Sequence, residues 1–228
     1  MRKLIQQGAE AKIFLDGDKI VKERIVKGYR HPTIDLQIRT RRTRHEAKIL
    51  CKAKGLGVNV PVVFNVDEKF RPKDKFVLEM EFIEGDKLSE CLNGYDEAKQ
   101  FWVMEKLGRE VAKLHENDLI HADLTTSNVI LKGNEVFVID FGLGFVSSKI
   151  EDKAVDLHLI RRALEAKHFM NYEVLFEKFL KGYKVGHRTS DIGRRTSDIG
   201  HQKSEVGSQI FERVMLQLEK VEVRGRYK

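Results

Sequence analysis

The 228-residue sequence has only two cysteines, three prolines and one tryptophan. Cys51 and Cys91 are too few for a disulfide framework and lack C-x-x-C spacing, so both read as packing residues of a reducing compartment. No apolar run is long enough to cross a bilayer, and Met1 leads into "RKLIQQGAEA" without the apolar stretch or cleavage site of a secretory leader. The expectation is a cytoplasmic protein with no membrane partner. What is present, 41% hydrophobic and 34% charged residues, is the composition of a soluble globular protein able to bury a core.

The net charge of +7 is unevenly placed. Lys22 to Arg44 holds eight Lys/Arg against Glu23 and Asp35, a local +6, and Lys220 to Lys228 holds four against Glu222, a local +3. Localised basicity favours a partner that carries phosphates. The solvated face of a helix carrying "RTRRTR" (39–44) accounts for the first cluster equally well.

Hydrophobic periodicity divides the chain. "KLIQQG", "AKIFLD" and "KIVKERIV" read as short strands of an antiparallel sheet, followed by a helix from Ile34 to Lys54 with Leu36, Ile38, Ala47, Ile49, Leu50 and Ala53 as candidate core. "VFNVDEK" and "KFVLEMEFIEG" read as two more strands. Phe101, Met104, Leu107, Val111 and Leu114 mark an amphipathic helix from Asp96 to His115. "VILKG" and "VFVID" predict a hairpin turning at Gly133-Asn134. The final third is helical in "DKAVDLHLIRRALEA", "YEVLFEKFLKGY" and "SQIFERVMLQLEK". A strand-rich front and a helix-rich back predict an α+β, two-lobed chain divided at residues 1–82 and 83–228. Within the back, "GHRTSDI", "GRRTSDI" and "GHQKSEV" (186–206) are consecutive seven-residue units, each with one strong apolar residue and a glycine that disfavours helix, so they read as a flexible insertion. Thr196 or Ser197 in its "RRTS" would be an accessible phosphate acceptor.

The chemistry concentrates between Ile120 and Gly142. Phosphoryl transfer from a nucleotide needs a carboxylate to orient the attacking hydroxyl and oxygen ligands that hold magnesium against the phosphates. Asp123 of "HADLTTSN" can serve as the first, and Asn128 and Asp140, joined by the hairpin, as the second. "HADLTTSN" with "DFG" resembles the catalytic and metal-binding loops of the protein-kinase-like superfamily. That resemblance implies ATP and Mg2+ as cofactors and a bilobal kinase fold. It further implies Lys22 on a strand for the α/β-phosphates, Glu46 on the next helix to pair with it, and Gly8, Ala9, Glu10 and Ala11 as the phosphate loop. Met80, Glu81 and Ile83 would be the hinge to adenine. Asp156 either caps the catalytic loop or is an ordinary helix-start acid.

Three departures narrow the kind of kinase. "QGAEAKIF" keeps only Gly8 of the usual G-x-G-x-x-G; backbone amides can still approach phosphate around Gly8 to Ala11, but Glu10 adds a negative charge there, which predicts weakened or reshaped nucleotide binding and slow turnover. Ala122 replaces the arginine that receives an activation-loop phosphate. No proline follows Pro72, so there is no A-P-E motif, and 15 residues separate Asp140 from Asp156, which predicts a reduced C-lobe lacking an activation segment and peptide-docking platform.

With "QGAEA", "KGYRHPTID", "RTRHEA", "FIEG", "HADLTTSN", "IDFGLGFVS" and the terminal "RGRYK", the chain resembles the small atypical, RIO-like serine/threonine kinase subunits of the KEOPS (EKC) complex. The resemblance implies an ATPase with serine/threonine autophosphorylation. It also implies support of a threonylcarbamoyl-transferring partner subunit, with other small subunits, in making threonylcarbamoyladenosine in tRNA. Arg224, Arg226 and Lys228 would then contact tRNA phosphates, the alternative being a fraying, solvated terminus. A RIO-like ribosome-assembly kinase is a competing expectation, weakened because Gly8 follows Met1 too closely for the extra domain expected there. A non-catalytic pseudokinase scaffold is opposed by the presence of Lys22, Glu46, Asp123, Asn128 and Asp140 together.

Overall fold

The computed structural model describes residues 2–189 and 200–225, the side chains of 188, 189, 200–208 and 225 excepted. Strands β1 (Lys3–Gln7), β2 (Ala11–Asp16), β3 (Lys19–Arg24) and β4 (Val77–Glu81) form an antiparallel sheet in that order. Gly17, at φ +64°, turns β2 into β3 in a left-handed conformation that a side chain would strain. Helix α1 (Pro32–Gly55) begins on a proline, whose missing N–H costs nothing at a helix start.

Two expectations for this half need correcting. Leu36 is 46% exposed and Ile38 half-buried, while Asp35, Thr43 and Glu46 take the inward positions with Ala47, Ile49, Leu50 and Ala53. Asp35 turns inward because Arg39 Nε (2.6 Å) and the Lys27 amide (3.2 Å) donate to its carboxylate. The "VFNVDEK" segment forms only single bridges, Val63 to Met80 and Val66 to Pro72, because Asp67 folds it into a turn by accepting from the amides of Lys69 and Arg71.

The second half opens with β5 (Asp86–Lys87), the short α2 (Leu88–Cys91) and α3 (Glu97–Glu116), whose cap Asp96 accepts from the Lys99 amide at 2.8 Å. Then come β6 (Leu119–Ile120), the hairpin β7 (Val129–Lys132) and β8 (Glu135–Val138), and β9 (Phe145–Val146). Strands β5, β7 and β8 form one sheet, and β6 pairs with β9. Gly133 at φ +56° makes the expected hairpin bend. Helices α4 (Ile150–Lys167), α5 (Tyr172–Thr189) and α6 (Gly200–Gly225) complete the described chain.

Helices α3 and α5 meet backbone to backbone. A Cβ added to Gly108 would collide with Phe179 O and the Tyr183 amide, one on Gly182 with Glu105 O, and one on Gly186 with Ala112. This close approach explains a third correction. The seven-residue units read as a flexible insertion, yet residues 186–189 continue α5 and residues 200–206 begin α6. Packing of Gly186 on α3 outweighs glycine's poor helix propensity. The rest of the repeat, with Thr196 and Ser197, lies outside the described residues, as do Arg226 and Lys228.

His115 of α3 is fully buried in the same seam. Its Nδ1 stands 2.8 Å from Tyr183 Oη and its Nε2 3.2 Å from Asp156 Oδ2. Burial holds the ring below its ordinary pKa of 6.5, against the opposing pull of Asp156.

Both features of the seam are testable. Gly108→Ala forces the helices apart and should cost about 1–3 kcal/mol, read as a fall of several degrees in Tm; an unchanged Tm would mean that the close approach is not needed. The folded state keeps His115 neutral where the unfolded chain gains a proton, so its share of stability is lost as pH falls below about 6.5, at ~1.4 kcal/mol per pH unit. Urea midpoints at pH 7.5 and 5.5 should therefore fall further for the natural chain than for His115→Gln, and equal falls would contradict this.

Candidate active site

Strand alternation turns Lys22 and Arg24 to the same, inner face of β3, leaving Glu23 exposed. Lys22 Nζ lies 2.7 Å from Glu46 Oε1 and 2.6 Å from Asp140 Oδ1. Burial acts against its charge, but the carboxylates of Glu46 and Asp140 outweigh that and raise its pKa above the ordinary value. For Asp140 burial likewise opposes the charged form, and Lys22 with the Gly142 amide more than offsets it, so its pKa is lowered. Arg24 Nη2 takes the other oxygen of Glu46 at 2.5 Å. One helix carboxylate thus bridges two buried cations.

The catalytic loop is held from beneath. Ala122 sits at φ +63°, a left-handed conformation uncommon for a residue with a Cβ. Asp156, fully buried on α4, accepts from the His121 amide (2.7 Å, Oδ2) and the Ala122 amide (2.7 Å, Oδ1). Of the two readings left open for Asp156, the clamp on the loop is the one observed. His121 adds a second constraint: its Nδ1 accepts from the Asp123 amide at 3.2 Å, which leaves Nε2–H to donate to Ile139 O at 3.0 Å.

Asn128 Nδ2 donates to both Asp123 O and Asp123 Oδ2 at 2.9 Å, orienting the carboxylate and leaving its own Oδ1 as an oxygen ligand. The Ile139 amide donates to Asn128 O at 2.9 Å, so the hairpin returns Asp140 beside Asn128. Asp140 adopts φ +62°, and two residues on, at Gly142, a Cβ would stand 3.0 Å from Asp140 Oδ1, 3.3 Å from Arg24 Nη2 and 3.5 Å from Lys22 Nζ. A carboxylate and an amide oxygen suit magnesium, which keeps several waters and completes its shell with substrate phosphates.

A cleft of about 250 Å³ gathers Lys22, Asp123 and Asp140 under Gly8, Ala9, Glu10 and Ala11. Asn128 reaches it through Asp123. Met80 and Ile83 are buried and Glu81 donates its amide to Val62 O at 2.8 Å; these three stand outside the cleft's lining. Arg224 is exposed, far along the chain on α6, and donates to Glu151 at 2.7 Å.

Sequence reasoning treated Glu10 as an uncompensated negative charge, and the structure corrects this. Arg30 (3.0 Å) and Arg42 (2.8 Å) each take one of its oxygens, and although burial alone would raise its pKa, these partners lower it. Arg24, Arg30 and Arg42 were not singled out. The only signal for Arg24 was its i+2 spacing from Lys22. His45, also missed, bonds through Nε2 to Gly144 O at 2.6 Å and ties α1 to the loop that follows Asp140.

Residues 5–187 match the protein kinase domain. The KEOPS complex subunit Bud32 of Pyrococcus abyssi is 48% identical over 79% of this chain and 84% of its own length. The EKC/KEOPS complex subunit bud32 of Dictyostelium discoideum is 40% identical over 83% and 77%. A probable bifunctional tRNA threonylcarbamoyladenosine biosynthesis protein of Methanothermobacter thermautotrophicus is 39% identical over 79% of this chain, which spans about a third (32%) of that longer relative. Among solved structures, the Rio2 kinase–ADP/Mg2+–phosphoaspartate complex from Chaetomium thermophilum shares the fold, at a TM-score of 0.56 and 12% identity over 96% of this chain and 70% of that one. So does WaaP in complex with acyl carrier protein, at 0.55 and 12% over 95% and 89%. The kinase-type arrangement of Lys22, Glu46, Asp123, Asn128 and Asp140 and these likenesses agree, and the chain belongs to the protein kinase domain family and, within it, to the Bud32 subunits of KEOPS complexes.

Proposed function

We propose that this chain is a Mg-ATP-dependent phosphotransferase that works mainly as an ATPase within a KEOPS-type assembly and supports threonylcarbamoyladenosine formation in tRNA. The observation that carries the reading is the three-way contact of Lys22 with Glu46 and Asp140 beside the Asp123–Asn128 pair. Lys22 would hold the α/β-phosphates, and Glu46 fixes where its ammonium stands. Asp123 faces the cleft as the base: it takes a proton from the attacking water or hydroxyl while that oxygen bonds to the γ-phosphorus and the bond to the ADP oxygen breaks. Asn128 keeps the accepting carboxylate oxygen in place. Asn128 Oδ1 and Asp140 would hold Mg2+, which would neutralise the phosphate charge.

The segment after Asp140 favours hydrolysis over phosphorylation of a docked peptide. The chain passes through β9 directly into α4 at Ile150, with Ser147 fastened to Asp152 (2.5 Å) and its amide to Asp118 O (2.8 Å). This short, tied connection offers little room for a peptide-docking platform. Residues 1–82 and 83–228 serve as the two lobes, with Met80, Glu81 and Ile83 as the adenine hinge. The partners are the threonylcarbamoyl-transferring subunit, other small KEOPS subunits and tRNA, the last met by Arg224, Arg226 and Lys228, in the cytoplasm. No helix among the described residues is long and apolar enough to cross a membrane.

Asp123→Ala should lower ATP turnover by about 10²–10⁴-fold with Tm nearly unchanged, and Asp140→Ala should do the same; a variant with natural turnover would mean that the active site is misassigned. Deleting residues 224–228 should weaken tRNA binding and reduce the salt slope of log K by about one for each phosphate that is no longer neutralised. An unchanged slope would leave the tail as a solvated terminus.

A further inference from the structure

The cleft holds more cationic side chains than the family's nucleotide residues account for. Arg24, only 6% exposed, and Arg42 line it together with Lys22. Opposite them the Gly8–Ala11 loop has one of its amides committed. Its single glycine turns its amide inward, Gly8 N donating to Ala11 O at 2.9 Å, so the N–H that a glycine-rich loop offers to phosphate is used within the loop. Negatively charged oxygens entering this cleft would meet guanidinium groups beside the remaining loop amides.

Resting on the nucleotide reading above, we infer that Arg24 and Arg42 are phosphate-binding donors of this site, making up for the committed Gly8 amide in holding the triphosphate of a nucleotide. Each guanidinium is preoriented by a carboxylate on one edge: Arg24 Nη2 by Glu46 Oε2 at 2.5 Å, and Arg42 Nη1 by Glu10 Oε2 at 2.8 Å. A guanidinium carries five N–H donors in a rigid fork, so one carboxylate does not exhaust it, and its planar geometry matches phosphate oxygens. Arg24 is aimed at the loop that follows Asp140, its Nη2 within 3.3 Å of the position a Cβ on Gly142 would take, beside Lys22 and Asp140. Arg42 enters from α1 and reaches the phosphate loop through its bond to Glu10. Glu10 then acts as a bracket for Arg42 and Arg30, which explains how an acid is tolerated at a phosphate site.

The test is equilibrium binding of Mg-ATP, Mg-ADP and adenosine to the full chain by calorimetry. Arg24→Gln and Arg42→Gln should each weaken Mg-ATP by about tenfold or more, as expected for a charged hydrogen bond. Mg-ADP should lose less, and adenosine should change by less than about twofold. Arg42→Lys should recover part of the loss. The Arg42 side chain is one-third exposed (33%), so its variant tests the inference even if Arg24→Gln fails to fold. An unchanged ratio of ATP to adenosine affinity in Arg42→Gln overturns the inference while leaving the nucleotide site standing. A natural chain that does not prefer Mg-ATP to adenosine overturns the nucleotide reading as well.

Discussion

A buried ammonium without a counter-charge would cost several kcal/mol, and Lys22 meets that cost with two carboxylates brought from different parts of the chain. Glu46 arrives on α1 and Asp140 at the end of the β7–β8 hairpin. The sheet, the helix and the loop at Asp140 are therefore linked to one another through a single side chain. Arg24 adds a second cation to Glu46, so the carboxylate is satisfied on both oxygens. Charge as well as apolar packing places α1 over the cleft. That is why its inner face carries Asp35, Thr43 and Glu46 beside the aliphatic residues.

The loop that bears Asp123 depends on a different support. Ala122 and Asp140 both hold left-handed backbone, which costs on the order of 1–2 kcal/mol per residue, and each is stabilised by a charged group. Asp156 fixes Ala122 through two amides, and Lys22 with the Gly142 amide fixes the Asp140 side chain. Asp156 is in turn reached by His115 and, through it, Tyr183 of α5. The glycine seam that lets α3 and α5 touch thus also sets the depth at which the catalytic loop rests. Stability in the helical half and geometry in the cleft share one set of interactions.

Asp123, Asn128 and Asp140 were legible because one loop and one hairpin carry all three, and Lys22 and Glu46 followed from the kinase resemblance of that motif. The hairpin itself was marked by Gly133-Asn134. Hidden instead were interactions between residues distant in sequence. Nothing local shows that Arg30 and Arg42 neutralise Glu10, or that His45 reaches Gly144. The α1 surface was misjudged at Leu36 because aliphatic residues were assumed to face inward, whereas ion pairing placed Asp35 there. The helical start of the seven-residue repeat was hidden because Gly186 reads as a helix breaker until the partner helix that requires it is known.

The measurement that bears most directly on the role of Lys22 is a double-mutant cycle on Lys22 and Asp140, using Lys22→Met and Asp140→Asn, with stability read from urea unfolding. A shared, partly buried ion pair predicts a coupling of about 1–3 kcal/mol between the two substitutions. Effects that simply add would contradict the claim that this ammonium holds the Asp140 loop to the sheet.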